Sequence, residues 1–178
     1  MTEKELITAC KKGDRKAQKA LYDRYAPVLL GIARRYVKNT EDAEDVLVEG
    51  FFKIMTKLDM YSGNGSFEGW MKRIVVNESL MFLRKRGSFK ADVELENVDA
   101  KDDTNIEDDL LASDILNVLD DLPTGYRTVF NMYVIEGYKH REIAEILNIS
   151  INTSKSQLIL AKKKMQVLLK NLGLQYKN

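Results

Sequence analysis

A chain of 178 residues has room for one large domain or two small ones, and with only two prolines and ten glycines it reads as all-helical. A single cysteine, Cys10, excludes an intramolecular disulfide, and no apolar run approaches the roughly 20 residues that cross a bilayer. The formal net charge of +1 hides a segregation: residues 1–87 hold 17 Lys+Arg against 12 Asp+Glu (net +5), 88–121 hold 2 against 12 (net −10), and 122–178 hold 9 against 3 (net +6).

Thr2 and Glu5 have capping-box spacing, Leu6, Ile7 and Cys10 share one side of the helix that follows, and Gly13 stops it. Asp14 caps a second helix whose stripe of Ala17, Leu21, Val28, Ile32 and Tyr36 runs to about Lys38, with Pro27 a candidate kink. Thr40 is the expected cap of a third, with Glu41, Asp42, Glu44 and Asp45 at the positive end of its dipole. Ala43, Leu47, Phe51, Ile54 and Leu58 form its inner face. Tyr61 to Ser66 is a loop by composition, and Ser66 caps a fourth helix to about Arg86 that packs through Phe67, Trp70, Ile74 and Met81 or Phe82.

From Gly87 to about Thr104 periodicity fades and acids accumulate, which marks a flexible acidic linker. Helical pattern returns at Ile106 with Leu110, Leu111, Ile115, Val118 and Leu119. Pro123 suits the first position of the next helix, which packs through Tyr126, Val129, Phe130 and Tyr133 and ends at Gly137. The expected organisation is therefore a domain over 1–87, a linker over 88–105 and a second domain over 106–178.

Within that second domain, Ile143, Ala144, Ile146 and Leu147 give residues 140–147 one buried stripe. Asn148 tolerates the left-handed conformation that closes a helix, and Ser150 caps another that starts near Ile151. Leu158, Ala161, Met165, Leu168 and Leu172 face its core, while Lys155, Ser156, Gln157, Lys162 and Lys163 lie on the other side. Two amphipathic helices joined by a tight turn, the second bearing donors and cations, form a helix-turn-helix suited to a major groove. Any helical hairpin shares part of this pattern, so the chemistry elsewhere must decide.

The fourth helix and the loop before it interleave aromatics (Tyr61, Phe67, Trp70, Phe82), cations (Lys72, Arg73, Arg84, Lys85, Arg86) and the polar Asn77. Single-stranded DNA needs such a mixture: surfaces for stacking at about 1–3 kcal/mol per base, cations along the phosphates, and an amide to read an edge. Phe67 and Phe82 are better read as core; Trp70 and Asn77 have the stronger claim to recognition. Catalysis finds no support. His140 is the only histidine, no phosphate-cradling glycine loop precedes a helix, no cofactor or metal-ligand cluster is visible, and acidic runs such as Asp102-Asp103 and Glu107-Asp108-Asp109 lack EF-hand spacing. Met1 to Ala20 alternates charged with apolar residues, unlike a secretory leader, so a cytoplasmic location is expected.

Four strings in this order, DAEDVLVEGFFKI (42–54), SFEGWMKRIVVNESLMFLRKR (66–86), LPTGYRTVF (122–130) and EGYKHREIAEILNISINTSKSQL (136–158), resemble the two conserved domains of an extracytoplasmic-function sigma factor of bacterial RNA polymerase. The resemblance implies that residues 1–87 bind core RNA polymerase and the minus-10 element, and that 106–178 bind the minus-35 element of promoter DNA. It places Asp45, Glu49 and Phe52 against the polymerase clamp, although Val48 stands where the family commonly has glutamine. It makes Tyr61 to Trp70 a loop that captures a flipped base, with Ser66, Trp70, Arg73, Asn77 and Arg84 along the minus-10 strand. It sets Lys155, Ser156, Gln157, Ile159, Lys162 and Lys163 against the minus-35 duplex, with Gln157 and Leu160 where many relatives carry arginine. An anti-sigma factor commonly partners such proteins, and the acidic linker would thread toward the polymerase active-site cleft. The competing reading is a stand-alone helix-turn-helix transcriptional regulator in which 1–87 is a sensing or dimerisation domain.

Overall fold

Thr2 starts the first helix as its spacing predicts: Thr2 Oγ1 accepts from the Glu5 amide at 3.3 Å and Glu5 Oε2 accepts from the Thr2 amide at 2.8 Å. That backbone hydrogen bond holds the Glu5 carboxyl below its ordinary range. The computed structural model describes residues 1–87 and 112–173. It divides into two compact units, Met1–Leu83 and Arg84–Asn178. All regular structure among the described residues is helical. The acidic linker over 88–105, and Ile106, Leu110, Leu111 and the side chain of Ile115 expected beyond it, lie outside what is described.

In the first unit, α1 (Glu3–Lys11) ends at Gly13, whose φ of +79° only glycine adopts without strain. Asp14 Oδ1 then accepts from the amides of Lys16 and Ala17 at 2.8 and 3.2 Å, opening α2 (Arg15–Tyr36). Pro27 lies exposed inside α2 without ending it. The buried stripe is Leu21, Tyr25, Leu29, Ile32, Ala33 and Tyr36; Val28, expected on it, is 43% exposed. α3 (Thr40–Thr56) is capped one residue earlier than expected, by Asn39, whose Oδ1 accepts from the Glu41 and Asp42 amides. It buries Ala43, Val46, Leu47, Phe51 and Ile54, and a 3₁₀ turn (Leu58–Met60) adds Leu58 to the core. α4 (Phe67–Lys85) begins where Ser66 Oγ accepts from the Gly69 amide at 3.1 Å.

The core face of α4 differs from the expected one. Phe67, Met71, Val75, Val76, Leu80 and Leu83 are buried, whereas Trp70, Ile74 and Phe82 are half-buried and Met81 is 40% exposed. Gly50 lets α3 approach this face closely: a Cβ there would meet Val75 Cγ2 at 3.1 Å.

The second unit begins, among described residues, with α5 (Ala112–Leu119), which buries Val118 and Leu119. Pro123 is the residue before α6 (Thr124–Phe130) and not its first. The helix continues as a wider turn over Asn131–Ile135, where the Glu136 amide reaches back five residues to Asn131 O at 2.9 Å, and Gly137 ends it. α6 buries Val129 and Phe130, but Tyr133 is 39% exposed; its ring stacks on His140 at 4.3 Å. His140 opens α7 (His140–Leu147), and its Nδ1 lies 2.9 Å from the buried Ser154 Oγ, tying that helix to the next. Asn148 takes φ 55°, ψ 48°, and Ser150 Oγ accepts from the Thr153 amide at 2.9 Å to start α8 (Ile151–Asn171). Leu158, Ala161, Met165 and Leu169 are its core residues; Leu168 is only half-buried and Leu172 is 61% exposed, against expectation.

Candidate nucleic-acid and polymerase interfaces

Outward from the α3 core points a face that nothing in the first unit covers. Asp45, Val48, Glu49 and Phe52 are all exposed, Val48 by 60% and Phe52 by 64%. At about 100° per residue they fall within an arc of about 100°. Two large apolar side chains bracketed by carboxylates form a surface for a partner that is both apolar and basic.

On α4, Trp70, Arg73, Asn77, Met81 and Arg84 recur at spacings of three and four and fall within an arc of about 80° along roughly 21 Å of helix. Arg73, Asn77 and Arg84 are exposed. Trp70 is half-buried because it leans on an aromatic cluster: its ring lies 5.7 Å from Phe67 and 5.5 Å from Tyr61. Tyr61 in turn packs 5.0 Å from Phe67 and donates its hydroxyl to Gly65 O at 2.7 Å, which closes the loop on itself. Phe67 is core, at 1% exposure. Ser66 is exposed, with its oxygen engaged in the helix cap. An exposed edge of Tyr61 and Trp70, set on a rigid aromatic base, continues directly into the cation-and-amide face.

α8 separates the candidate duplex readers. Lys155 and Lys163 are exposed, while Ser156 and Lys162 are half-buried. Gln157 does not belong with them: it is 0% exposed. Being three residues after Ser154 and four before Ala161, both fully buried, it stands on their ridge; adjacency to Lys155 and Ser156 in sequence misled because neighbours on a helix diverge by about 100°. Ile159 is likewise covered, at 7% exposure, although the helical period puts it near Lys155 and Lys163.

Three features escaped the sequence reading. Asn152 is exposed on the first turn of α8, on the same arc as Ser156 and Lys163; its place two residues after the Ser150 cap was the available signal. Met81 stands on the outer face of α4. A cavity of about 430 Å³ lies between α1 and the Tyr61–Gly65 loop, where Lys11 Nζ donates to Tyr61 O at 3.4 Å; only the fold brings these together. Among the described residues no group of three or more His, Cys, Asp or Glu is arranged to hold a metal ion, and no helix is long and apolar enough to cross a membrane.

The sequence model of Sigma-70 region 2 matches residues 21–89 and that of Sigma-70 region 4 matches residues 112–165. The chain is 27% identical to the ECF RNA polymerase sigma-E factor of Haemophilus influenzae, covering 93% of this chain and 94% of that protein. It is 29% identical to the sigma-E factor of Escherichia coli K12 (91% of each) and 24% identical to the RNA polymerase sigma-H factor of Pseudomonas aeruginosa (96% and 95%). Among solved structures, its fold is similar to the sigma factor RpoE of Bartonella quintana in complex with the anti-sigma factor NepR, with a TM-score of 0.54 at 24% identity over 85% of this chain and 96% of that one. It is also similar to CnrH in complex with the cytosolic domain of CnrY, with a TM-score of 0.51 at 22% identity over 93% and 96%. The region 2 match removes the reading of residues 1–87 as the sensing domain of a stand-alone regulator. Two sigma-70 regions in their order, and relatives matched along nearly their whole length, place this chain in the family of extracytoplasmic-function sigma factors.

Proposed function

We propose that this sigma factor binds core RNA polymerase through the exposed α3 face and brings it to promoters read at two points, acting in the cytoplasm as a binding protein and not as an enzyme. Residues 1–87 serve polymerase and the minus-10 element, 88–105 connect, and 106–178 serve the minus-35 element. The observation that carries the reading is the α4 surface. An aromatic ledge, two arginines and an asparagine on one arc, next to a helix whose apolar residues Val48 and Phe52 stand in solvent, suit a domain that holds unpaired bases while docked on a larger partner. On the clamp side the reading uses Asp45, Glu49 and Phe52. For the minus-10 strand it uses Tyr61, Ser66, Trp70, Arg73, Asn77 and Arg84. For the minus-35 duplex it uses Lys155, Ser156, Lys162 and Lys163, to which we add Asn152. Trapping bases that leave the stack offsets the few kcal/mol lost on unstacking, so melting needs no ATP. An anti-sigma regulator fits the same reading, since an apolar α3 face exposed in the free chain invites cover when polymerase is absent.

Reconstituted transcription from the organism's own promoters, with core polymerase and with or without this protein, tests the proposal. Protein-dependent transcripts are expected, together with gel shifts that require polymerase. Nanomolar specific binding to duplex by the protein alone at physiological salt would sink it.

A further inference from the structure

Past Trp70, Met81 is the one large apolar side chain on the α4 arc that carries Arg73, Asn77 and Arg84, and at 40% exposure it has no place in the core. The neighbouring core positions Ser79 and Leu83, at 0% and 5% exposure, lie about 160° around the helix from it. Met81 is nonetheless held in place. Its Sδ lies 3.9 Å from Lys53 Nζ, and that ammonium pairs with Glu78 Oε1 at 2.5 Å, the Glu78 side chain being 11% exposed. A positioned, solvent-facing thioether therefore sits one turn beyond Asn77 and just short of Arg84.

From this placement, and resting on the reading of α4 as the minus-10 face, we infer that Met81 determines specificity by recognising the C5-methyl group of a thymine in the minus-10 element. The cations on the arc suit phosphates, and the Asn77 amide suits the polar edge of a base. Neither senses a methyl group; an apolar side chain does, and an unbranched, polarizable thioether adapts to one with little strain. Leucine in its place would keep the contact, and alanine would lose it.

The test uses holoenzyme assembled from core polymerase and the full chain. The wild type selects its minus-10 sequence from a randomised promoter library, and each selected thymine is then replaced singly by deoxyuridine, which lacks only the methyl group. At one position the wild type loses about fourfold in open-complex affinity, the size of one buried methyl group. Met81→Ala binds the thymine promoter more weakly and shows no further loss with deoxyuridine there; Met81→Leu keeps the sensitivity. A selected element without thymine, no sensitive position, or an unchanged thymine-to-deoxyuridine ratio in Met81→Ala overturns the inference while leaving the sigma reading intact. Failure of the wild-type holoenzyme to open any promoter overturns both.

Discussion

Replacing Gly50 by alanine sets two effects of known sign against each other. In a helix interior, glycine to alanine gains about 1 kcal/mol from backbone entropy. Here the new Cβ would meet Val75 Cγ2 at 3.1 Å, Val75 Cα at 3.7 Å and Glu78 Cγ at 3.8 Å. Carbon atoms prefer about 3.5–4.0 Å, so the first contact is short by roughly half an ångström. Val75 is fully buried and β-branched, with one strongly preferred rotamer in a helix, so the clash has no side-chain escape and α3 must move from α4. Overpacking of this kind costs about 1–3 kcal/mol. The net expectation is a loss of about 0–2 kcal/mol, partly relieved in Gly50→Ala/Val75→Ala relative to the sum of the single changes. Trp70 is the only tryptophan and lies on α4, so urea unfolding followed by its fluorescence reports the first unit alone. A Gly50→Ala chain about 1 kcal/mol more stable than wild type would refute the clash and leave propensity in control.

Four further outcomes are expected. Phe52→Ala, at a 64% exposed position, leaves unfolding within about 0.5 kcal/mol of wild type but weakens binding to core polymerase at least tenfold in a fluorescence titration; unchanged affinity would remove Phe52 from the interface. Asn77→Ala reduces permanganate-detected opening more than closed-complex formation, and equal losses would make its role structural. Lys155→Ala concentrates its loss on the upstream duplex element; a uniform loss on any DNA, with the log–log salt slope smaller by about 0.9, would mark a phosphate contact instead. The Tyr25 hydroxyl is pushed up to about 12 by burial and by the hydrogen bond it donates to Glu3 Oε2 at 2.6 Å. Its folded value exceeds the unfolded one, so its contribution is complete below pH 10 and fades as pH rises through 12. Tyr25→Phe loses about 1 kcal/mol at neutral pH, and its stability falls less steeply between pH 10 and 12 than that of wild type.

Helix ends were the most legible part of this chain because their chemistry is local. Thr2, Asp14, Ser66, Asn148 and Ser150 each bond or bend within three residues of themselves, and their positions alone signalled the elements. Thr40 missed by one residue because Asn39 is an equally good acceptor beside it. Helix phase was harder wherever apolar residues are adjacent. Leu168 and Leu169 both continue the α8 stripe, and Ile74, Val75 and Val76 all suit α4, so only the neighbouring helices choose among them. Aromatic size misled at Trp70 and Phe82, which are half-buried while Met71 and Val75 fill the interior. The same ambiguity hid Met81, whose apolar character suggested core, and Gln157, whose polar character suggested surface. For both, side-chain chemistry pointed one way and helix azimuth the other, and azimuth won.

Asn148 leaves the helix-turn-helix with little freedom to acquire its shape at the promoter. A glycine at that left-handed position would let the unfolded and native chains sample more backbone conformations, whereas asparagine tolerates φ 55° with fewer alternatives open to it. With Ser150 fixing the next turn and the His140–Ser154 contact bracing the two helices, the angle at which α8 is presented is settled during folding. On the reading of α8 as the minus-35 helix, the duplex would meet a preformed surface, so variants at Asn148 should alter how fast DNA is released more than how often it is encountered.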